Sequence, residues 1–197
     1  FWTYAEATRC ISNSLAAGDC VDDTSCAVVC EAVVAPCRAD VDAVWYEGVQ
    51  LDLPEADVIA SGFEVCWLGD YAGVGPTVQT ITELCSGDIL MMGCRPNDAE
   101  NLSVAAMGER AIVLRDQGRE PNSVNEHNGM NWYFSAVHSW GFAPEGETVQ
   151  RSSCDVGATQ PESRMCWHTL NGQINTGYRC GDNRLNGNAG WQRIIYQ

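Results

Sequence analysis

The sequence predicts a mainly β protein, a sandwich or barrel-like fold stapled by disulfide bonds, with a small cysteine-rich helical hairpin at its N-terminus. Two observations support this prediction. The 197 residues include 11 cysteines, a density typical of disulfide-stabilised domains in oxidising compartments. After residue 44 the chain consists of short apolar runs separated by Gly, Asn, Asp and Pro, as expected for consecutive β-strands. We therefore divide the chain into a hairpin subdomain, 1–44, and a β-rich domain, 45–197.

The hairpin subdomain has an alanine-rich pattern with apolar periodicity, which indicates two short helices. The first covers about 4–17 and ends at Gly18, a residue that suits a left-handed C-terminal cap. The second covers about 24–35 and ends before Pro36. A loop-rich cysteine knot without regular helices is the alternative interpretation.

In the β-rich domain we expect roughly ten short strands, because turn signals such as Asn128-Gly129 and Asn171-Gly172 recur between the apolar runs. Residues 101–107 also have helical character, so a helix remains open there. The predicted strands are 63–68, 78–82, 89–94, 102–107, 111–114, 132–135, 139–142, 148–151, 165–169 and 191–196.

We interpret the cysteines as disulfide-bonded. No CxxC pair is present, and the three histidines lie near only one cysteine in sequence, so a zinc site is not indicated. An odd count leaves at least one cysteine without an intramolecular partner. If each part of the chain forms bridges only within itself, that cysteine belongs to residues 1–44. The cysteines are Cys10, Cys20, Cys26, Cys30, Cys37, Cys66, Cys85, Cys94, Cys154, Cys166 and Cys180.

The predicted disulfides also indicate a secreted, extracellular protein, since disulfides persist in oxidising compartments. No stretch approaches the roughly 20 apolar residues of a membrane span, so we expect no transmembrane segment. We interpret Phe1 as a processed N-terminus that follows a removed signal peptide.

The charge of the chain argues against nucleic acid as a partner. The formal charge is −15, from 26 acidic and 11 basic residues, whereas phosphate binding needs a basic face. Acidic and amide side chains in loops suggest calcium instead, without the EF-hand spacing. A solvated acidic face explains the same residues equally well. The candidate calcium ligands are Asp22, Asp23, Asp40, Asp42, Asp182 and Asn183.

Aromatic residues are concentrated between 132 and 167 and suggest a surface that recognises sugars by stacking and hydrogen bonding. Burial of these rings in the core is the competing interpretation. Alternation along a strand places Trp132 and Phe134 on one face and Tyr133 on the other, and we expect at least one ring to face solvent. The candidate ligand-binding residues are Trp132, Tyr133, Trp140, Asn128 and Arg164.

The sequence has no catalytic signature, and we expect a non-catalytic protein. Asp155, Glu162, Arg164 and His168 lie close together in sequence, but catalytic sites are defined by geometry. The chain offers no nucleophile elbow, no HExxH motif and no paired-carboxylate signature. We interpret His168 as a structural histidine.

Six strings in the β-rich domain are distinctive: ASGFEVC (60–66), LMMGCRP (90–96), NWYF (131–134), SWGFAP (139–144), RMCWHT (164–169) and GYRCG (177–181). In these strings the chain from about residue 53 onward resembles a disulfide-rich C-terminal module of secreted, mostly uncharacterised bacterial proteins. The resemblance implies export. It transfers no catalytic residue to this chain.

Three functions are compatible with these features. The first is an extracellular, non-catalytic binding or adhesion module that recognises a carbohydrate or a cell-surface polymer. The second is a structural subunit of an extracellular filament or surface layer, a self-associating role indicated by the odd cysteine. The third is a secreted polysaccharide hydrolase, which needs two carboxylates facing one cleft.

Overall fold

The computed structural model describes residues 44–120, 122–154 and 159–197. The predicted hairpin lies outside these ranges except for residue 44, so its two helices and the domain boundary stay predictions. Its five cysteines lie outside them too. The same holds for four predicted calcium ligands, Asp22, Asp23, Asp40 and Asp42.

The described residues form strands and short helices, which we number in chain order. The strands are β1 (Gln50–Pro54), β2 (Val65–Asp70), β3 (Ile89–Pro96), β4 (Asn101–Glu109), β5 (Asn125–His127), β6 (Met130–Phe134), β7 (Ser139–Pro144), β8 (Met165–Leu170), β9 (Gln173–Ile174), β10 (Arg179–Cys180), β11 (Asn183–Arg184) and β12 (Trp191–Tyr196). The helices are α1 (Glu55–Ala60), α2 (Val78–Leu84) and α3 (Arg110–Val113), and two 3₁₀ turns cover Arg151–Ser153 and Pro161–Ser163. In this part of the chain no helix has the length and apolar character needed to cross a membrane.

The strands form two antiparallel sheets. The first has five strands in the order β1-β4-β3-β12-β2. The second has seven strands in the order β11-β10-β8-β7-β6-β5, with β9 paired to β8. This architecture confirms the mainly β prediction.

One buried hydrophobic cluster takes side chains from both sheets. Trp132, Trp140 and Trp167 of the seven-stranded sheet are fully buried in it, together with Met92 and Ile195 of the five-stranded sheet. Trp140 packs edge-on against Trp167, with ring centroids 5.5 Å apart. Such a pair contributes about 1 kcal/mol beyond the area that it buries, so the tryptophans are a main source of stability.

The opposite face of the seven-stranded sheet is covered by the segment that follows β7. A second cluster there joins Tyr133 and Ala143 of the sheet to Val149 and Cys154 of the covering segment. Because both faces are covered, β6 is buried at all five of its positions and shows no polar alternation.

Three disulfides link the described elements. Cys66–Cys85 joins β2 to the end of α2, Cys94–Cys180 joins the two sheets, and Cys154–Cys166 holds the covering segment on β8. The six cysteines after residue 44 therefore pair among themselves, as expected. The five cysteines that remain in residues 1–44 are odd in number.

Most predicted strands are confirmed, and three are wrong. Residues 78–82 and 111–114 are helical, in α2 and α3, and residues 148–151 form no strand. The helix left open for 101–107 is excluded, because these residues belong to β4. Strand β1 and the shortest strands, β5 and β9 to β11, are missing from the sequence prediction.

Helix α2 forms in a β-branched run because its N-terminus is capped. The Oγ1 of Thr77 accepts a hydrogen bond from the backbone N–H of Thr80 at 3.1 Å, which satisfies one of the free donors of the first turn. Val78 and Ile81, three residues apart, are its buried side chains, as expected for one helix face.

Candidate functional site

The three aromatic residues predicted to stack on a ligand are buried. Trp132, Tyr133 and Trp140 each have 0% exposure. Their polar atoms are also satisfied inside the protein: the Nε1 of Trp140 donates to the carbonyl of Val113 at 3.1 Å, and the Tyr133 hydroxyl donates to the carbonyl of Met165 at 3.3 Å. A stacking platform needs an exposed ring face, which these residues lack, so we do not assign them to a ligand site.

Asn128 holds the chain before β1 on the sheet. Its Nδ2 donates to the carbonyls of Tyr46 and Met107 at 2.8 and 2.9 Å, and its Oδ1 accepts from the indole of Trp45. Its backbone has a φ of 54°, a left-handed conformation that asparagine tolerates well. This geometry gives Asn128 a structural role.

Arg164 organises the segment that covers the seven-stranded sheet. Its Nη2 pairs with Glu147 at 3.0 Å, and its Nε and Nη1 donate to the carbonyls of Thr159 and Thr148 at 2.7 and 2.9 Å. The side chain is fully buried. Its predicted contact with a ligand is therefore not supported by this position.

The other candidate residues that the structure describes lie on different elements of the fold. Asp182 and Asn183 lie in the β10–β11 hairpin, and the described residues include no group of three or more His, Cys, Asp or Glu that could hold a metal ion. Asp155 lies outside the described ranges. His168 is half-buried against the ring of Tyr178, with centroids 5.5 Å apart, and burial lowers its pKa below the ordinary value.

A groove of about 540 Å³ is the best candidate site. It lies between α2, α3 and the turns that follow β6 and β8, and we call it the polar groove. Its polar lining residues are Thr77, Gln79, Thr82, Arg110 and Asn171. The apolar lining residues include Val78, Leu114 and Phe134.

Phe134 connects the polar groove to the aromatic core. Its ring packs edge-on against Trp140 with centroids 5.7 Å apart, and 6% of the residue is exposed. The aromatic concentration in the sequence thus reaches a surface through Phe134, and not through the tryptophans on either side of it.

The walls of the polar groove are fixed by hydrogen bonds. Arg110 donates from Nε to the carbonyl of Cys85 at 2.9 Å and from Nη2 to the carbonyl of Thr82 at 2.8 Å. These bonds satisfy carbonyls at the C-terminal end of α2 and complement its dipole. The N–H of Val78 donates to the carbonyl of Gly172 at 2.8 Å, which ties the start of α2 to the turn after β8. A ligand would therefore meet a preorganised surface.

The lining of the polar groove is suited to hydroxyl groups. Asn171 and Gln79 offer amide donors and acceptors, and the apolar lining would cover the carbon face of a sugar. Among the described residues, no Asp or Glu lines this groove, and Arg110 is its one charged side chain. Hydrolysis by paired carboxylates therefore has no support there.

A second groove, of about 750 Å³, lies beside α1 and the β3–β4 turn. It is lined by two carboxylates, Glu55 and Glu100, with Arg95 between them in sequence. Glu55 pairs with Arg95 at 2.6 Å and accepts a hydrogen bond from the Tyr196 hydroxyl at 2.7 Å. Burial and the neighbouring Glu55 raise the pKa of Tyr196. Because both Glu55 oxygens are engaged, this carboxylate is less available for a ligand than the Asn171 amide of the polar groove.

The polar groove is assembled from segments that are distant in sequence, so no linear motif marks it. The available signals were local ones, namely the capping Thr77 and the Asn171-Gly172 turn, in which both residues have positive φ. Comparison of the chain with protein-family models, with curated proteins and with solved structures found no match.

Proposed function

We propose that this protein is an extracellular, non-catalytic binding module that recognises a carbohydrate or a hydroxyl-rich cell-surface polymer in the polar groove. The observation that carries the proposal is the composition of the groove, with rigid walls, amide and hydroxyl side chains and no lining carboxylate in the described part of the chain. The three disulfides support an oxidising compartment for this role.

Glycan-array binding followed by calorimetry tests this proposal. Asn171→Gly removes an amide while keeping the positive φ of the turn, and Gln79→Ala removes a second amide from an exposed helix position. Each lost hydrogen bond should weaken binding by roughly 3- to 10-fold. Asn186→Gly, at a turn outside the groove lining, is the matched control and should bind like the wild type.

The array should be run with and without calcium, because a calcium requirement stays a prediction of the sequence. If no glycan or cell-wall polymer binds in either condition, the carbohydrate proposal fails. If a glycan binds equally well to the Asn171 and Gln79 variants, the site lies elsewhere on the molecule.

The edges of the five-stranded sheet favour a second candidate, a self-associating structural subunit. Its two edge strands are β1 and β2, and their exposed apolar residues include Leu51, at 50%, and Leu68, at 50%. Open edges with apolar side chains promote strand addition by another copy. Non-reducing gels and light scattering distinguish the two roles, because a monomer that forms no interchain disulfide contradicts the structural one.

A further inference from the structure

The β10–β11 hairpin places two arginines directly opposite each other. Arg179 pairs with Arg184 in the ladder register. Residues opposite each other in an antiparallel pair share one face, with Cβ atoms about 5 Å apart. We call these residues the arginine pair.

The two members of the arginine pair differ in depth. Arg179 has 3% exposure, and its backbone is held by pairing with Cys166 of β8 and by a hydrogen bond from the Tyr71 hydroxyl to its carbonyl at 3.1 Å. Its guanidinium carbon lies 6.0 Å from the centre of the Tyr178 ring. Arg184 is exposed. The pair thus joins an anchored, buried guanidinium to one that solvent reaches.

Arg179 has unused hydrogen-bond donors. Its Nε and Nη1 are buried without a partner, and among the described residues its side chain makes no hydrogen bond. The other buried arginines, Arg151, Arg164 and Arg193, each donate to at least one backbone carbonyl, although Arg151 and Arg193 also keep buried N–H groups without a partner. A buried, charged donor without a partner is unfavourable, and within the described residues Arg179 is the buried arginine with the fewest hydrogen bonds.

The pair also lacks a counter-charge. Neither Arg179 nor Arg184 forms an ion pair with any of the residues that the structure describes, in a chain with 26 acidic residues. Two like charges directly opposite on a ladder repel each other. A bound anion would remove this repulsion.

We propose that the arginine pair binds a tetrahedral oxyanion, sulfate or phosphate, free or as an ester on a polymer. Guanidinium groups donate two parallel hydrogen bonds to such anions. Two guanidinium groups on one face match the doubly charged ions better than a singly charged carboxylate. The pair does not line the polar groove, so this proposal is independent of the one for carbohydrate.

Calorimetry with sodium sulfate and sodium phosphate tests the site, with sodium acetate as the carboxylate control. The measurements use low millimolar anion at constant ionic strength, since screening and general salt effects otherwise contribute. We expect saturable binding of sulfate or phosphate, and binding at least 10-fold weaker in Arg184→Gln. Arg119→Gln, which removes an exposed arginine in a loop, should bind like the wild type. Absence of binding in the wild type, or unchanged binding in Arg184→Gln, would overturn the proposal.

Arg179→Met separates ligand binding from a structural role. A ligand-binding Arg179 leaves an unpaired buried charge in the free protein, so the methionine variant should fold with equal or higher stability in anion-free buffer and lose the binding. An arginine that stabilises the fold gives the opposite result, a variant with a lower Tm than the wild type, and contradicts the proposal.

Binding to a polymer with and without sulfate esters shows whether the anion is free or part of a polymer. Dextran sulfate and unsubstituted dextran differ only in the ester groups. Binding of dextran sulfate that inorganic sulfate displaces, with no binding of dextran, identifies a sulfated polymer as the ligand class. Binding of the inorganic ions alone identifies a free anion, and both results support the site. Equal binding of the two polymers contradicts it.

Discussion

Replacing Cys94 and Cys180 together with alanine removes the disulfide that joins the two sheets. The bridge spans 86 residues of sequence. Its loss leaves the folded contacts of the two sheets in place but frees the unfolded chain from a long closed loop. The stability lost should therefore depend on loop length.

The chain-entropy model gives the size of this loss. A loop of 86 residues corresponds to about 4.6 kcal/mol at 25 °C. The Cys154–Cys166 bridge closes a loop of 12 residues, which corresponds to about 2.8 kcal/mol. All four cysteines have 0% exposure, so the cavities left by alanine are comparable. The predicted difference between the two double variants is about 1.8 kcal/mol, or roughly 4 to 7 °C in Tm for a chain of this size.

Equilibrium urea unfolding, followed by tryptophan fluorescence, measures both losses, since the buried tryptophans of the core report on the fold. The measurement should be made near pH 5, where thiols are protonated and disulfide exchange is slow. If the Cys94→Ala/Cys180→Ala variant is no less stable than Cys154→Ala/Cys166→Ala, the loop-length reasoning is refuted.

Three further changes have expected outcomes. A Cβ at Gly141 would overlap the carbonyl oxygen of the neighbouring strand, so Gly141→Ala should lose more than about 3 kcal/mol of stability or fail to fold. Gly190→Ala, at an exposed position, is the control and should change stability by no more than about 0.5 kcal/mol. Thermal melts compare the two variants, and a stable Gly141→Ala variant contradicts the close approach. Burial lowers the pKa of His168, so as pH falls through about 6.5 the unfolded state takes up a proton before the folded state does, and stability present at neutral pH is lost. His168→Gln should flatten Tm between pH 7.5 and 5, and an unchanged slope would assign the effect to other groups. Arg164→Met removes the ion-pair partner of Glu147, which keeps hydrogen bonds from Thr159 and Gln160, and takes a donor from two backbone carbonyls, so it should cost about 3 kcal/mol. Glu147→Gln leaves the fully buried Arg164 charge without its counter-charge and should cost a similar amount; a Glu147→Gln variant as stable as the wild type in urea unfolding would contradict a role for this ion pair.

The aromatic triplet shows what the sequence predicts and what it does not. Strand alternation correctly places Trp132 and Phe134 in the cluster between the sheets and Tyr133 in the cluster on the other face. None of the three rings faces solvent to any large extent, because the segment after β7 covers the second face. That cover depends on contacts such as Arg164–Glu147 and on a disulfide, pairings that spacing alone does not specify.

The polar groove also depends on packing that the sequence pattern does not predict. Its residues come from α2, α3 and two turns, which meet only after both sheets have formed. The β-branched residues of 78–82 favour a strand, but these residues form a wall of the polar groove as a helix. The signal for that helix in the sequence is one side chain, the capping Thr77. Local patterns therefore predicted the strands, whereas the site required their packing.

The position of β12 has a consequence for how the protein is made. This strand lies between β3 and β2, and in the described part of the chain β2 has no other strand partner. The ribosome synthesises Trp191–Tyr196 long after Val65–Asp70, so the five-stranded sheet is incomplete until nearly all of the residues described have emerged. Such long-range pairing slows folding. Val65–Asp70 therefore stays without its strand partner until the end of the described chain has been synthesised.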